Sequence, residues 1–502
     1  MKAFSYFQSA AGWRGALLIT GLGCLASISS AIAAPSARIT ASRTSGVAPL
    51  AVFFDATAST DSDSSVDAYR QLGYRFEFND PSSGTWTHSG LPKSQQTGGP
   101  LAAHVFETPG TYTVQVTAKS TAGATSVATV TVTVQSADSA FAGTRTVCLS
   151  RGSDFSGCPS GATRTANATS WPRLQTGYRY LLKAGENFSS LGNLNVGPSI
   201  QDVHVGSFGS GAKPVLNSVM LLGNDPLTTN SINRIVVRDL NPSNINNMIG
   251  ATDLLLLRNT VTGGGMIDIA GAFDFYVDHS CCTGWKNPEN IFVVENTVDR
   301  NFNNIENPNG ISGNAVKFAI MGNTVTRTHE HNIRIWQAAK LFVAHNNATG
   351  VSGGSIRHAL KVHSSGTDAI GTLTSGVRQR QRTSEVVVAD NRFGSTSSNI
   401  NWLVAFGPQN SEEVEVLEKI IAEDNRFAHG SNFFLDFHAS GRSVTTRGNA
   451  QAAGGAARES VGGQGITPAA WFGPYYFGQP SVKGMFSSTT LVPRSPTSLA
   501  VE

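Results

Sequence analysis

The feature that most restricts the fold is an asparagine that recurs after short apolar segments in the second half of the chain. Six segments share this pattern: LRNTV (257–261), VENTV (294–298), MGNTV (321–325), AHNNA (344–348), ADNRF (389–393) and EDNRF (423–427). Their asparagines stand 37, 27, 23, 45 and 34 residues apart. The shortest interval has the length of one coil of about three short strands, so the repeat predicts a solenoid.

Among solenoids, the pattern favours a parallel β-helix. A leucine-rich solenoid would keep stricter spacing and fixed leucine positions, whereas a longer interval in a β-helix is a coil with an inserted loop. Successive coils stack about 4.8 Å apart. We therefore expect the recurring side chains to form a hydrogen-bonded ladder at one turn: Asn259, Asn296, Asn323, Asn346, Asn391 and Asn425.

The N-terminal part has a different, all-β pattern. Alternating strands and turn-forming residues between 37 and 134 fit one β-sandwich of about 95 residues. PLAVFFDATAS, YRFEFND and PGTYTVQVTA stand where PKD-type domains have three signatures, and the segment resembles that family, although FEFND (76–80) replaces its W-D-F-G-D. The resemblance implies a non-catalytic spacer or a carbohydrate-contacting module. The small, polar segment 136–144 is predicted to be a flexible linker that leaves the two domains independent.

The region after this linker resembles enzymes that act on polysaccharides. LKAGENF (182–188) and GSFGSGAKP (206–214) are similar to the opening coils of right-handed parallel β-helix enzymes of the pectate-lyase superfamily. With the asparagine repeat, the resemblance covers 174–450. The predicted fold class is all-β. Its segments are a signal peptide (1–33), a PKD-like β-sandwich (35–136), a linker and N-terminal cap (137–173), a right-handed parallel β-helix (174–450) and a C-terminal closure and tail (451–502).

The N-terminus has the pattern of an export signal. Lys2 and Arg14 precede an apolar run that ends in Ala31-Ile32-Ala33, an A-x-A cleavage site. This predicts a secreted, periplasmic or cell-surface protein, and no later apolar run reaches the ~18 residues that would span a membrane. Without the signal peptide, the 37 basic residues less Lys2 and Arg14 leave 35 against 34 acidic residues. So small a net charge predicts no nucleic-acid partner, and we expect a monomer.

Four cysteines remain after such cleavage. Cys148 and Cys158 bracket a short loop, so a disulfide between them is plausible in an oxidising compartment. Cys281 and Cys282 are adjacent, and the sequence leaves open whether they form a vicinal disulfide or two thiols.

Two segments of the β-helix region share a pattern that points to a site. NIRIW (332–336) aligns over ALKVH (359–363) without a gap. Because side chains alternate along a strand, one set faces the coil interior and the other faces outward. The inward set is Ile333, Ile335, Leu360 and Val362. The outward set places Arg334 beside Lys361 and Trp336 beside His363.

Further polar residues extend this face into a basic groove with a carboxylate at each end. Two cations side by side on a sheet repel each other, and a bound polyanion would explain such a pair. Asp268 and Asp436 stand at the two ends. The remaining residues lie at the turns, on the neighbouring strand and in the following insertion: His329, His331, Arg357, His358, Arg378, Arg380, Arg382 and His438.

This set suits β-elimination on a uronate polysaccharide. The reaction needs a base for the proton on carbon 5, a cation for the developing enolate and an acid for the departing oxygen. A lysine beside an arginine has its pKa lowered toward that of a useful base. Alginate-lyase-like members of the superfamily use such a lysine and arginine on neighbouring coils. The resemblance therefore implies Lys361 as base and Arg334 as carboxylate ligand, although the fuller motifs of those enzymes are absent here.

The remaining assignments follow from position. His363 or His331 would assist at the leaving oxygen. The predicted substrate-binding residues are His329, Trp336, Arg357, His358, Arg378, Arg380, Arg382, Asp436 and His438. No metal ligand is assigned. Calcium neutralises the carboxylate in some relatives, and although no acidic calcium cluster is evident here, calcium stays open as a cofactor.

Three other functions fit parts of the pattern. A β-helix glycoside hydrolase would need clustered carboxylates, which Asp268 and Asp436 do not provide because they lie several coils apart. A carbon-5 epimerase would share the base and the carboxylate ligand. A non-catalytic carbohydrate-binding surface protein would carry the same charges as solvated groups. The leading prediction is a lyase acting on an acidic polysaccharide.

Overall fold

The computed structural model describes residues 34–63, 65–221, 232–247, 251–269, 288–302, 309–352, 357–363, 383–395, 400–407, 417–428, 431–437, 441–461 and 475–487. The predicted signal peptide, together with Cys281 and Cys282, lies outside these ranges. Within them, no helix is long and apolar enough to cross a membrane.

The N-terminal domain is a β-sandwich, as predicted. Its elements are β1 (Thr40–Ala41), β2 (Ser45–Val47), β3 (Leu50–Asp55), α1 (Ala68–Gln71), β4 (Gly73–Glu77), β5 (Gln95–Gly98), β6 (Leu101–Phe106), β7 (Gly110–Lys119) and β8 (Thr125–Gln135). One sheet has the order β1-β3-β6 and the other β2-β8-β7-β4-β5. Their inner faces meet in an apolar core because alternate residues of each strand point to the opposite sheet. Examples are Val52, Phe54, Tyr74, Phe76 and Val116.

The rest of the described chain is a parallel β-helix with short flanking elements. Its first strands are β9 (Thr146–Leu149), β10 (Thr163–Thr165), β11 (Arg179–Lys183), β12 (Leu194–Val196), β13 (Gln201–Phe208), β14 (Val215–Leu221), β15 (Asn233–Arg238), β16 (Asn241–Asn247), β17 (Thr252–Leu257), β18 (Thr260–Thr262) and β19 (Ile267–Ile269). The next are β20 (Glu289–Val294), β21 (Thr297–Asp299), β22 (Ile311–Met321), β23 (Thr324–Thr326), β24 (His331–Ala344), β25 (Asn347–Val351), β26 (His358–Val362) and β27 (Thr383–Ala389).

The final strands are β28 (Arg392–Ser395), β29 (Ile400–Phe406), β30 (Leu417–Glu423), β31 (Arg426–Ala428), β32 (Ser431–Asp436), β33 (Gly441–Arg447), β34 (Ala450–Gln451), β35 (Glu459–Ser460) and β36 (Tyr475–Gln479). The short helices are α2 (Ala137–Ala140), α3 (Lys483–Phe486) and two 3-10 turns, Gly143–Arg145 and Ser189–Leu191.

The coils stack into three parallel sheets. Sheet A joins β9, β11, β13, β15, β17, β20, β22, β24, β27, β30, β33 and β36. Sheet B joins β12, β14, β16, β19, β22, β24, β26, β29, β32 and β35, and sheet C joins β18, β21, β23, β25, β28, β31 and β34. Strands β22 and β24 belong to both A and B because they run through the corner between these sheets. Inward residues of all three sheets form one continuous core from Leu149 to Val444.

The asparagine ladder is confirmed, and it is one rung longer than predicted. The Asn259 side-chain amide donates to Asn296 Oδ1 at 3.1 Å, and the Asn259 backbone N–H donates to the same oxygen at 2.9 Å. The pattern repeats through each coil to Asn449. Each rung follows a residue in the left-handed region, which turns the chain from sheet A into sheet C. These residues are Arg258, Glu295, Gly322, His345, Asp390, Asp424 and Gly448.

The sandwich packs directly on the outward face of sheet A. Phe53, Trp86 and Leu101 of the sandwich share one buried apolar cluster with Phe292 and Phe342 of the β-helix. Strands of sheet A are apolar on both faces because the coil core buries one face and the sandwich buries the other.

The segment expected to be a flexible linker is structured instead. It forms α2 and the following 3-10 turn, and the buried Phe141 ring lies 4.8 Å from the His204 ring. The structure therefore gives no support for two independent domains joined by a flexible linker. The predicted Cys148–Cys158 disulfide is present in the adjoining loop.

His345 shows how closely the two domains fit. Its ring stacks on Trp86 with centroids 4.8 Å apart, and its two nitrogens bond Ser89 Oγ at 2.9 Å and Gln96 Oε1 at 2.7 Å. All three partners belong to the sandwich. His345 is therefore a structural residue of the interface.

Candidate active site

The two histidine-containing segments lie side by side on sheet B, in the predicted register. Strand β24 pairs with β26 so that His331 faces His358, Ile333 faces Leu360, Arg334 faces Lys361 and Ile335 faces Val362. The four aliphatic residues belong to the coil core. Arg334 and Lys361 alternate with them and lie on the outer side, which confirms the predicted adjacency of the two cations.

Two ring pairs flank these cations. The His331 and His358 rings stack with centroids 5.2 Å apart and planes 4° from parallel. On the other side, Trp336 and His363 stack at 5.5 Å and 18°, so the predicted pairing of these two residues is also confirmed. We call these six residues the polar cluster: His331, Arg334, Trp336, His358, Lys361 and His363.

The polar cluster is buried, which the sequence does not predict. Arg334 is 6% exposed and Lys361 is 2% exposed, although both point away from the coil core. His331, His358 and His363 are buried as well, whereas Trp336 is partly exposed. In such a setting, charges interact much more strongly than they do in water.

A carboxylate that sequence reasoning left without a role is part of this site. Glu330 accepts a hydrogen bond from Arg334 Nη1 at 3.1 Å, and its other oxygen lies 3.7 Å from His331 Nε2. The Arg334 guanidinium carbon also lies 3.7 Å from the centroid of the Trp336 ring. Glu330 supplies an internal counter-charge to one of the two adjacent cations, so an external polyanion is not required to explain the pair.

Hydrogen bonds assign the protons of the histidine pair. The His358 backbone N–H donates to His331 Nδ1 at 3.2 Å, so this nitrogen carries a lone pair. The His358 Nδ1–H donates to the Trp402 carbonyl oxygen at 2.9 Å, since a carbonyl can only accept. Burial, reinforced by His358 and Arg334, holds the pKa of His331 well below its ordinary value. His331 is thus a neutral imidazole near pH 7.

The predicted carboxylates stand on either side of Arg334 and Lys361 in the same row of sheet B. The strand register gives the order Asp268, Ser312, Arg334, Lys361, Ala405, Asp436 and Ser460. Asp268 and Asp436 are five strand steps apart in this order, which is about 24 Å. Ser312 Oγ donates to Asp268 at 2.6 Å, and burial raises the pKa of that carboxyl. Ser460 donates in the same way to the buried Asp436.

Other predicted residues border the cluster or fall outside the described chain. Arg357 Nη1 donates to Ser352 Oγ at 2.6 Å, and Ser352 Oγ donates to the His329 carbonyl oxygen at 2.6 Å. These contacts place Arg357 and His329 at the corner from which β26 begins. Arg378, Arg380, Arg382 and His438 lie outside the described residues. In the described ranges, no three His, Cys, Asp or Glu residues are grouped as a metal ion would require.

Comparison with known proteins identifies one domain. Residues 32–134 match the family model described as PKD domain, so the N-terminal sandwich is a PKD domain. No curated protein matches the chain.

Several solved structures show weaker likenesses. One describes carbohydrate-binding modules of the β-sandwich superfamily, at 28% identity over 21% of this chain and 36% of that one, with a TM-score of 0.17. PfbA, a surface adhesin of Streptococcus pneumoniae, is 10% identical over 55% of this chain and 73% of its own, with a TM-score of 0.38. The family 28 exopolygalacturonase of Yersinia enterocolitica is 9% identical over 89% of this chain and 99% of its own, with a TM-score of 0.31. Likenesses at these TM-scores are too weak to bear on activity.

Proposed function

We propose that the chain is an exported lyase that cleaves an acidic, uronate-containing polysaccharide by β-elimination on sheet B. The observation that supports this most directly is the pairing of Arg334 with Lys361, flanked by the His331–His358 and Trp336–His363 ring pairs. A cation that binds a carboxylate, a base beside it and imidazoles on both sides are the groups that elimination next to a carboxyl group requires.

The proposed step is balanced within the sugar chain. Arg334 binds the carboxylate of one uronate, and Lys361 in its neutral form takes the proton from carbon 5. The electron pair released there forms the double bond between carbons 4 and 5, and the bond from carbon 4 to the bridging oxygen breaks. That oxygen leaves with a proton donated by His363, and Lys361 and His363 return to their starting forms by exchanging protons with water. The proposal requires the neutral amine of Lys361, because that is the form that accepts a proton.

Of the two histidines predicted to assist the leaving oxygen, His363 is the better candidate. Burial and neighbouring cations hold the pKa of His331 well below its ordinary value, so its ring does not carry an extra proton to donate. His363 lies against Trp336, the partly exposed member of the polar cluster. In this proposal His331 instead packs against His358 and helps to hold the base in place.

Glu330 and Trp336 support the proposed binding of a carboxylate by Arg334. Glu330 contacts one end of the guanidinium, while Trp336 lies against the guanidinium plane. An arginine can donate several hydrogen bonds from one plane, so Glu330 leaves donors for a substrate carboxylate. We propose that Glu330 acts as a positioning residue, because it contacts Arg334 rather than any reacting atom.

Hydrolysis by the predicted carboxylates is poorly supported. Glycoside hydrolases place two carboxyl groups about 5–9.5 Å apart across the scissile bond. Asp268 and Asp436 lie roughly 24 Å apart along the row, which is far beyond that distance. A carbon-5 epimerase would use the same first proton transfer, and the product separates it from a lyase.

The test is a screen of the purified chain against uronate polymers. Elimination leaves an unsaturated sugar end that absorbs ultraviolet light, and the expected result is a rise in absorbance with polymannuronate, polyguluronate, polygalacturonate or polyglucuronate. Chain cleavage without absorbance would replace the proposal with hydrolysis. Inversion at carbon 5 without cleavage, seen by NMR, would replace it with epimerisation. Binding of a polymer without change to it would leave a binding protein.

A further inference from the structure

Beside the apolar contact between the PKD domain and sheet A, a cleft opens at one end of the sheet. By strand register, His204, Val236, Leu255 and Phe292 form one outward row across β13, β15, β17 and β20. A cleft of about 680 Å³ lies between this row and the sandwich segment 43–49. Clefts of this size between domains are common places for ligands.

One wall of the cleft has its charges compensated within the protein. Arg234 makes two parallel hydrogen bonds with Asp202, at 2.5 and 2.8 Å. Asp253 accepts a hydrogen bond from Asn290 at 2.9 Å, and burial raises the pKa of its carboxyl. This wall therefore contributes little net charge.

The opposite wall and the mouth carry two further arginines. Arg43 is only partly exposed, and burial lowers the pKa of its guanidinium. Within the described part of the chain, neither Arg43 nor the exposed Arg145 makes a hydrogen bond or ion pair. A Cβ at Gly46 would lie 2.5 Å from Leu50 Cδ1 and 2.7 Å from Arg43 Nη2, so this glycine leaves room for both side chains. Burial lowers the pKa of Arg43 more than the nearby carboxylates of Asp253 and Asp202 raise it. The Arg43 charge is thus only partly compensated, and an anion bound in the cleft would stabilise it.

We propose that this interdomain cleft is a second binding site, which takes a carboxylate-bearing saccharide. The carboxylate binds Arg43 and Arg145, and the sugar rings fill the cleft above the row, whose Val236, Leu255 and Phe292 side chains are already buried in the interdomain contact. Four strands of sheet A give the row a length of about 14 Å, which suits an elongated molecule. An inorganic anion would fill only a small part of the volume. The choice of a uronate rests on the proposed function, whereas the position and charge of the cleft do not.

The test uses hydrogen exchange and titration on the full chain. A short oligogalacturonate is added to the wild type and to Arg43→Ala/Arg145→Ala, and a neutral cello-oligosaccharide of equal length serves as the comparison ligand. We expect the oligouronate to slow exchange in the segment 43–51. The double variant should bind it at least about tenfold more weakly at this segment, which is the scale of a lost charge-assisted hydrogen bond. Arg38→Ala removes the same charge at an exposed position outside the cleft and should bind as the wild type does.

The same experiment distinguishes binding in the cleft from binding at the polar cluster, because different segments report on them. Protection of 43–51 reports the cleft, and protection of 358–363 reports the polar cluster. Protection of 43–51 alone would support the cleft and count against the lyase site. No protection of 43–51 at saturating ligand, unchanged affinity in the double variant, or equal protection by the neutral sugar would each overturn this inference.

Discussion

The outward rows of sheets A and B differ completely, although they sit on the same coils and share one core. On sheet A the row is apolar, with Phe292, Ala319, Phe342, Val387 and Ile421 on successive strands beneath the PKD domain. On sheet B the row is polar, and Arg334 and Lys361 occupy its middle. The inward residues therefore establish the coil, while the outward residues decide whether a face packs against a domain or carries charged side chains.

The largest expected effect is the loss of stability when a side chain in the apolar row of sheet A is truncated. Phe342→Ala removes a ring that is 1% exposed in the interdomain cluster. We expect a loss of about 3–5 kcal/mol in the free energy of unfolding, the usual cost of truncating a buried Phe. Denaturant unfolding measures it. Phe302→Ala, at a ring 37% exposed, is the matched control and should cost far less. Equal losses in both variants would mean that the domain contact contributes little stability.

The corresponding substitutions on sheet B should lower the rate of the proposed reaction. Lys361→Ala removes the proposed base and should lower turnover on the cleaved polymer by about 10²-fold or more. Arg334→Ala should cost as much through lost electrostatic stabilisation. Both residues lie outside the coil core, so we expect the coil to fold in both variants. Lys419→Ala, at a half-exposed lysine on sheet A, controls for loss of a lysine elsewhere. Near wild-type turnover in Lys361→Ala would move the base to one of the cluster histidines.

Lowering the pH tests whether the stability of both faces depends on histidines that stay neutral in the folded chain. Burial holds the pKa of His345 under the PKD domain, and of His331 on sheet B, well below the ordinary value of about 6.5. The unfolded chain binds a proton below pH 6.5 and the folded chain does not, so stability falls as pH drops below that value. Each such histidine contributes up to about 1.4 kcal/mol per pH unit.

The contribution of His345, the histidine on sheet A, can be measured by itself. His345→Asn should reduce the pH dependence of the unfolding free energy between pH 6.5 and 5 by about 1 kcal/mol per unit. Unfolding curves at several pH values provide the measurement. His329→Asn, at a partly exposed position, is the control. A slope that does not change in His345→Asn would show that this ring is already protonated in the folded interface.

The smallest effect concerns Glu330. Glu330→Gln keeps a hydrogen-bond acceptor near Arg334 but removes the charge, so we expect turnover to fall about fivefold, or roughly 1 kcal/mol, with the fold unchanged. A structural residue alone would not alter the pH–rate profile, whereas a residue that positions Arg334 beside His331 should shift it. Unchanged turnover and profile would remove Glu330 from the site.

Periodicity made much of the fold predictable from the sequence. Asn259 and its repeats predicted the ladder because one turn type recurs in every coil, and NIRIW over ALKVH predicted the register because a slip by one residue would bury Arg334 in the core. The last rung, Asn449, was not predicted, although RGN (447–449) follows the same kind of strand.

Contacts between distant segments were not predictable in the same way. The stacking of Trp86 on His345 joins residues more than two hundred positions apart, and no local pattern marks it. The burial of Lys361, on the outer side of sheet B, is likewise marked by no local sequence pattern. Glu330 could have been found, since it stands between two histidines immediately before the Arg334 strand. The sequence predictions assign it no role because they rest on the two adjacent cations.

The asparagine ladder has a consequence for how this protein can diversify. Two residues separate sheet A from sheet C in all seven described turns, from 258–259 to 448–449, because each rung needs one left-handed residue and one asparagine. Lengths vary at the two other corners, where four residues separate β18 from β19 and twenty separate β26 from β27. Both variable corners border sheet B. Insertions and deletions can therefore accumulate beside the polar cluster, so a lineage can alter what this face accepts while the number and stacking of coils stay the same.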